Sequence, residues 1–358
     1  VENTVLNVTG TGGKIDIKAN SSADIIGLAL GVGASQKFSG AGSISIAEIH
    51  NTVTASASRS TIAPETTSLS AGTISIEAKD GSSIKTVGGQ VVVSTQQSAV
   101  GAAVTYNDIA NTVSANADGA TLSANTSVKL ASENNSKIQS LAVAGGLANK
   151  VAVSASLSLN FIKNSTISHS SATFDDRDGG ANTNTVAVTA DDTSTIESLA
   201  GSVAIGKKAG AGGAFAWNQI DNKVGAALEG AVVHRAASFD VLANETSKIH
   251  SLSGAASGGQ TLAFSGSVSI NHVGQSGNTG DPDEDGNVTS AEVKNTTFDG
   301  AAVAANVKAK DKTEIKSLAG AVAVSLGTAA VGGAVADNAI RNVAKASVSG
   351  STLANAAS

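Results

Sequence analysis

Along most of this chain apolar residues alternate with polar or small ones at period two, in short runs such as Ile15 and Ile17, Ile74 and Ile76, Val128 and Leu130, Val186 and Val188. Alternation over four or five residues marks a half-buried strand. Helix is the competing reading of the Ala-rich stretches, since Ala is the best helix former. Abundant Gly, Val, Thr and Ser, with no 3.6-residue pattern, argue for strand instead.

The alternating runs recur. The motif I-x-S-L or a variant starts at Ile25, Ile84, Ile138, Ile196, Ile249 and Ile315, at intervals of 59, 54, 58, 53 and 66 residues. Ten residues before each anchor Ile lies Ile15, Ile74, Val128, Val186, Phe239 or Ala305. Some 24 residues after it comes a second signature, as in "IHNTV" at Ile49, "IANTV" at Ile109 and "IDNKV" at Ile220, whose Asn forms a column of Asn51, Asn111, Asn164, Asn222 and Asn342. Stacked Asn side chains hydrogen-bond from copy to copy, as in amide ladders. A third column pairs Thr with a larger apolar residue, at Thr61-Ile62, Thr121-Leu122, Thr173-Phe174, Thr297-Phe298 and Thr352-Leu353.

Such a unit predicts an all-β solenoid of six imperfect repeats of about 53 residues, running as one continuous body over 1-358. A coil of some 20 to 30 residues makes each unit two coils, hence about a dozen in all. At about 4.8 Å per coil that is a rod of roughly 60 Å. Two stretches interrupt the period: an insertion at 274-292 and a smaller one at 171-184.

Composition narrows the function classes. The chain has 358 residues, 41% of them hydrophobic, only 15% charged and 3% aromatic, with net charge −6, no Cys and no Met. The 23 basic residues are scattered apart from Lys207-Lys208, so no stripe tracks a phosphate backbone and nucleic acid is not expected as a partner. Without Cys there is neither a disulfide framework nor a thiolate metal site. The span from Ser317 to Ala336 is uncharged and long enough to cross a bilayer, but it is weakly apolar and its cognates contain Lys and Gln, so it reads as a repeat unit. The opening "VENTVLNVTG" lacks a signal-peptide pattern, and the chain reads as an interior piece of something larger.

The stretch "SLAGAVAVSLGTAAVGGAVADNAIRNVAKASV" and its earlier copies resemble the repeats of very large bacterial surface and secreted adhesins: filamentous-haemagglutinin-like exoproteins, leukotoxin-type filamentous adhesins and autotransporter passengers. The resemblance covers almost the whole chain. It implies a right-handed parallel β-helix, export to the cell surface or beyond, and contact with the membrane only through the export machinery. It also implies a host or neighbouring-cell receptor, protein or glycan, bound through the parent protein, and a fragment that is itself monomeric. No secretion domain, translocator barrel or Arg-Gly-Asp accompanies the repeats.

One stretch carries metal chemistry. In "DPDEDGNVTSAE" the calcium-loop positions 1, 3, 5, 7, 9 and 12 hold Asp281, Asp283, Asp285, Asn287 through its carbonyl, Thr289 by hydroxyl or bridging water, and Glu292 as the two-oxygen closer. Gly286 supplies the sharp turn and Val288 the aliphatic position. The loop resembles those of EF-hands and dockerin-like modules, without their flanking helices, so calcium is expected to clamp rather than to trigger movement. Repeat alignment places the aspartates on the inserted residues and Asn287 to Glu292 on a strand of the solenoid, with Glu292 outward. A second acidic cluster, Asp175, Asp176 and Asp178, lacks the spacing.

Enzyme chemistry is not expected. β-Helices host polysaccharide lyases and hydrolases, which keeps a polysaccharide-degrading enzyme, or a leukotoxin-like exoprotein, as the alternative. Yet His50, His169, His234, His250 and His272 form no ligand pair and recur beside no fixed acid in the sequence, while Asp191, Asp192 and Glu197 sit at polar turn positions of the repeat. Tyr106 and Trp217 share a repeat column with Ile46, Leu159 and Ile270, which favours core packing or a stacked column over a sugar platform.

Overall fold

Period-two alternation with no bulge lets a strand run on for as long as both faces find an environment. In the computed structural model, which describes residues 1–10, 12–59, 67–177, 184–274, 286–299 and 304–354, each coil contains a strand of 22 to 28 residues: Lys14–Ser35, Ser68–Ser94, Thr121–Ala148, Asn184–Gly206, Ala236–Gly259 and Ala304–Ser325. A short turn reverses the chain into a return strand of 12 residues, such as Val151–Ile162 or Ala209–Ile220. At the Asn column the chain bends into a cross strand, such as Ser165–Ser170 or Lys223–Glu229. Closing strands, among them Thr173–Asp176 and Val232–His234, lead towards the next coil. The result is a right-handed parallel β-solenoid whose three sheets hold 11, 6 and 6 strands.

The predicted columns are real ladders. Ile25, Ile84, Ile138, Ile196, Ile249 and Ile315 stand side by side in adjacent coils, as do Ile15, Ile74, Val128, Val186, Phe239 and Ala305. Because neighbouring anchors belong to neighbouring coils, one unit is one coil. The expectation of two coils per unit is therefore corrected: the chain makes six coils, and five steps of about 4.8 Å give roughly 24 Å along the axis, not 60 Å. A long strand follows a contour of roughly 70 to 90 Å at about 3.3 Å per residue, so the segment is broader than it is long. The Thr column is also amended. Ser68-Leu69 stands beside Thr121-Leu122, whereas Thr61-Ile62 lies outside the described residues, and Val232-Val233 supplies the copy that the Thr pattern missed.

Each coil has two compartments. In the lobe, the first half of the long strand packs against the cross and closing strands around Ile, Leu, Val and Phe, with Leu69, Ile74, Leu122, Leu130 and Phe174 fully buried. Phe239 and Phe298 stack there with ring centroids 4.3 Å apart. In the blade, the second half of the long strand packs on the return strand through Gly, Ala, Ser and Thr. The approach is close: a Cβ on Gly206 would lie 2.0 Å from the Ala209 carbonyl oxygen, and one on Gly212 would lie 2.7 Å from that of Ala256. The larger residues of the blade face outward, among them Val91, Val143, Val203 and Ile205. Large apolar side chains thus fill the lobe and a second buried column beside it, where the anchor residues Ile84, Ile138 and Ile196 meet Ile109, Ile162 and Ile220 of the return strands. No bulge separates each anchor Ile from the blade tip, so the inward parity of the anchor forces these Val and Leu side chains out.

Candidate functional site

Among the residues expected to hold calcium, Asp281, Asp283 and Asp285 lie outside the described residues. The other three lie on the cross strand Asn287–Lys294, as the repeat alignment predicts. Asn287 and Thr289 point inward and are fully buried, while Glu292 points outward, 3.5 Å from Lys345. The Thr289 hydroxyl donates to Glu245 Oε2 at 3.0 Å, and the Asn287 amide donates to Glu245 Oε1. The structure therefore does not bring the Thr289 hydroxyl and the Glu292 carboxylate to one point. The insertion itself leaves and rejoins the solenoid at one place. Gly274 and Gly286 both have positive φ, 72° and 112°, and a Cβ on Gly286 would stand 3.9 Å from the Gly274 Cα. In the second cluster Asp176 is buried, Asp175 meets Arg235 at 3.3 Å, and Asp178 lies outside the described residues.

Between lobe and blade the coils are joined by buried polar ladders. In the predicted Asn column the amides do not bond to one another. Four amide oxygens instead accept the backbone N–H of the Asn one coil earlier: Asn51 to Asn111 at 3.0 Å, Asn111 to Asn164 at 3.2 Å, Asn164 to Asn222 at 3.1 Å and Asn222 to Asn287 at 2.6 Å, whereas the Asn287 N–H goes to the Arg341 carbonyl. The amide N–H groups of Asn51, Asn111, Asn222 and Asn342 reach across to a second column at Asp80, Asp192, Glu245 and Asp311, while that of Asn164 meets the Ser136 and Ser194 hydroxyls. True amide-to-amide stacking occurs elsewhere, from Asn107 to Asn160, Asn218, Asn271 and Asn338 at 2.7 to 2.9 Å. Its sequence signal, an Asn two residues before the Ile or Val of the second signature, stands in five copies and went unread.

Asp192 and Glu245 correct a second expectation. Asp191, Asp192 and Glu197 sit within the long strand Asn184–Gly206, not at turns, and Asp192 is buried. Its partners are the Asn134 and Asn222 amides and the Thr166 and Ser194 hydroxyls. Burial raises the Asp192 carboxyl above its ordinary range. Burial, then the charge of Asp192, pushes Glu245 up to about 8. Stacked carboxylates bonded by neutral donors keep a proton rather than a full set of charges. The arrangement stitches coils together and presents no acid to a cleft.

All five histidines pair with a carboxylate of a neighbouring coil: His50 with Asp108, His169 with Asp118, His234 with Asp299, His250 with Glu314 and His272 with Asp337, at 2.8 to 3.3 Å. The partner is a coil away, so no sequence spacing reveals it, and each His meets in the fold an acid that the sequence does not set beside it. These pairs are spread singly over the outer faces, and no group of three metal-ligating side chains forms among the described residues. Tyr106 and Trp217 flank Leu159 in one ladder on the outer face of the return strands. Phe161 bridges them, 5.8 Å and 5.9 Å from the two rings. They are a half-buried stacked column, which is one of the two readings the repeat allowed.

On the lobe the outward face of the long strands is charged, with Glu77 between Lys18 at 3.4 Å and Lys129 at 3.0 Å. Burial would raise Glu77, but bonds from Lys129 and Ser75 and the two lysine charges hold it down at about 2. On the blade the same face is uncharged and apolar from Leu199 to Ile205 and at the matching positions of the other coils. No helix of the described residues is long and apolar enough to cross a membrane. Comparison with protein-family models, with curated proteins and with solved structures finds no match for this chain, so its geometry alone carries the functional reading.

Proposed function

We propose that this chain is a structural segment of a bacterial extracellular adhesin or exoprotein, at the cell surface or secreted, that presents binding regions to a protein or glycan receptor. The observation that carries the reading is the ladder construction. Each coil repeats the same columns and is bonded to its neighbours through buried amides and carboxyls, as a spacer built by stacking needs. Titratable groups pair across coils instead of converging, which disfavours the polysaccharide-degrading alternative. Beads coated with the chain are expected to adhere to epithelial or bacterial cells without releasing sugar ends from surface glycans. Release of new reducing ends without adhesion would overturn the reading.

The insertion is a calcium clasp in this proposal. Asp281, Asp283, Asp285 and the Asn287 carbonyl are the ligands, a bridging water takes position nine, and Glu292 closes the loop from the outer face. Calcium binds only the folded loop, so at a hundredfold excess over Kd it adds about 2.7 kcal/mol to the unit it clamps. Thermal unfolding followed in calcium and in chelator is expected to differ, and Asp283→Ala with Glu292→Ala is expected to abolish the difference. Identical melting curves for the unaltered chain would exclude the ion.

A further inference from the structure

The apolar face of the blade is ordered as well as uncharged. In the fourth coil its outward positions are Glu197, Leu199, Gly201, Val203, Ile205 and the turn residue Lys207. Long apolar residues stand at both ends of the stripe and a Gly beside a Val at its centre. Four other coils repeat the central pair as Gly89 with Val91, Val143 with Gly145, Gly254 with Ala256 and Gly320 with Val322, whereas the first coil carries Leu30 and Val32 there. The midpoints between them, Gln90, Ala144, Ser202, Ala255 and Ala321, lie in one ladder across the sheet. A single straight line parallel to the solenoid axis therefore passes over the centre of every stripe.

We infer that this face binds a second copy of the same chain, through a two-fold axis along that line. Rotation by half a turn lays Val203 of one copy over Gly201 of the other, Leu199 over Ile205, and Glu197 over Lys207. Knob meets notch in four coils; in the second coil the Leu30 side chain of the first coil lies 2.7 Å from where a Cβ of Gly89 would stand and fills that notch. No atom lies within 4 Å of where a Cβ of Gly254 or Gly320 would stand, so those notches are open. The charges at the rim agree as well: Lys85 falls over Thr95, His250 over Gln260 and Lys316 over Leu326, so no like charges superpose. Glu197 already holds Lys137 at 3.1 Å, so the partner's Lys207 sets register more than strength.

The area is sufficient. Nine residues at about 3.3 Å by five steps of about 4.8 Å give roughly 700 Å² on each copy, close to the ~800 Å² per partner of a specific interface. An isologous contact of this kind closes on itself, so the expected species is a dimer rather than a fibre.

The chain contains no Cys, which makes the register directly testable. Positions 197 and 207 of one copy lie about 33 Å apart along an extended strand, beyond the reach of a short bis-maleimide. The variants Glu197→Cys and Lys207→Cys are expected to cross-link efficiently when mixed and at least tenfold less when either is treated alone. Sedimentation should show a dimer for the unaltered chain, and Gly201→Leu with Gly254→Leu should raise its dissociation constant at least tenfold while leaving the melting temperature of the monomer unchanged. A monomer at the highest soluble concentration overturns the inference. So does cross-linking that is equal in single and mixed samples, or a monomer that floats with phosphatidylglycerol vesicles.

Discussion

The lobe and the blade are built from the same long strands, one after the other along a single run of chain, yet their polarity is opposite. In the lobe Ile, Leu and Phe face inward and Lys and Glu face out. In the blade Gly, Ala and Ser face inward and Leu, Val and Ile face out. Strand alternation permits either arrangement, and the spacing between sheets decides which is used. The lobe has room for large side chains between three converging strands. The blade is two sheets closed by a tight turn, and its inner face is mostly Gly, Ala, Ser and Thr, with Gln90 and Val92 of the second coil seated where Gly101 and Gly33 leave room. What the blade loses in apolar burial it recovers in part through hydroxyl and amide bonds across the gap, such as Ser140 to Ser158 at 2.6 Å and Ser253 to Ser267 at 2.7 Å.

The largest effect is expected in the lobe. Phe174→Ala removes a fully buried ring from the interior and should cost about 3–5 kcal/mol, read from denaturant unfolding. A cost under roughly 1 kcal/mol would show that the lobe is not the main source of stability. At the boundary, Asn218→Ala leaves the Asn160 amide N–H and the Asn271 amide oxygen without their ladder partners. It should cost about 1–3 kcal/mol, with hydrogen exchange quickened in the coils on both sides.

Next comes a pH effect. The Glu245 carboxyl, at about 8 against an ordinary 4.5, keeps its proton in the fold at a pH where the unfolded chain has released it. Its contribution is therefore fully present below 4.5 and is lost as the pH rises to about 8. Asp118 raises His169 with the same sign, so that contribution declines as the pH climbs past 6.5. Glu245→Gln should flatten the fall between pH 4.5 and 8 and raise the melting temperature at the alkaline end, and an unchanged pH profile would remove Glu245 from the account. The smallest change is expected on the outer face of the blade. Leu252→Ser should alter the stability of the monomer by no more than about 0.5 kcal/mol, whereas an outward-in blade would lose several times that.

Much of this was legible in the sequence. The anchor Ile column, the column ten residues before it and the inward parity of Ala291 and Val293 all stand where the repeat spacing puts them, because identical coils must bring identical residues side by side. Of the candidate calcium residues, the sequence located Asn287, Thr289 and Glu292 on the right strand and Glu292 on the right face. The engagement of Thr289 by Glu245 was hidden, since those residues are 44 apart and share no spacing rule. The histidine pairs were hidden for the same reason.

By itself, the sequence determined strand, period and ladder, because period-two alternation and a recurring unit are local properties that every copy repeats. Only the tertiary structure decided how far the chain travels before it meets its own copy, and hence one wide coil per unit in place of two narrow ones. It also decided which face of the blade is the inside. Alternation divides residues between two faces, but the close approach of two Gly- and Ser-lined sheets is what leaves the larger residues on the surface.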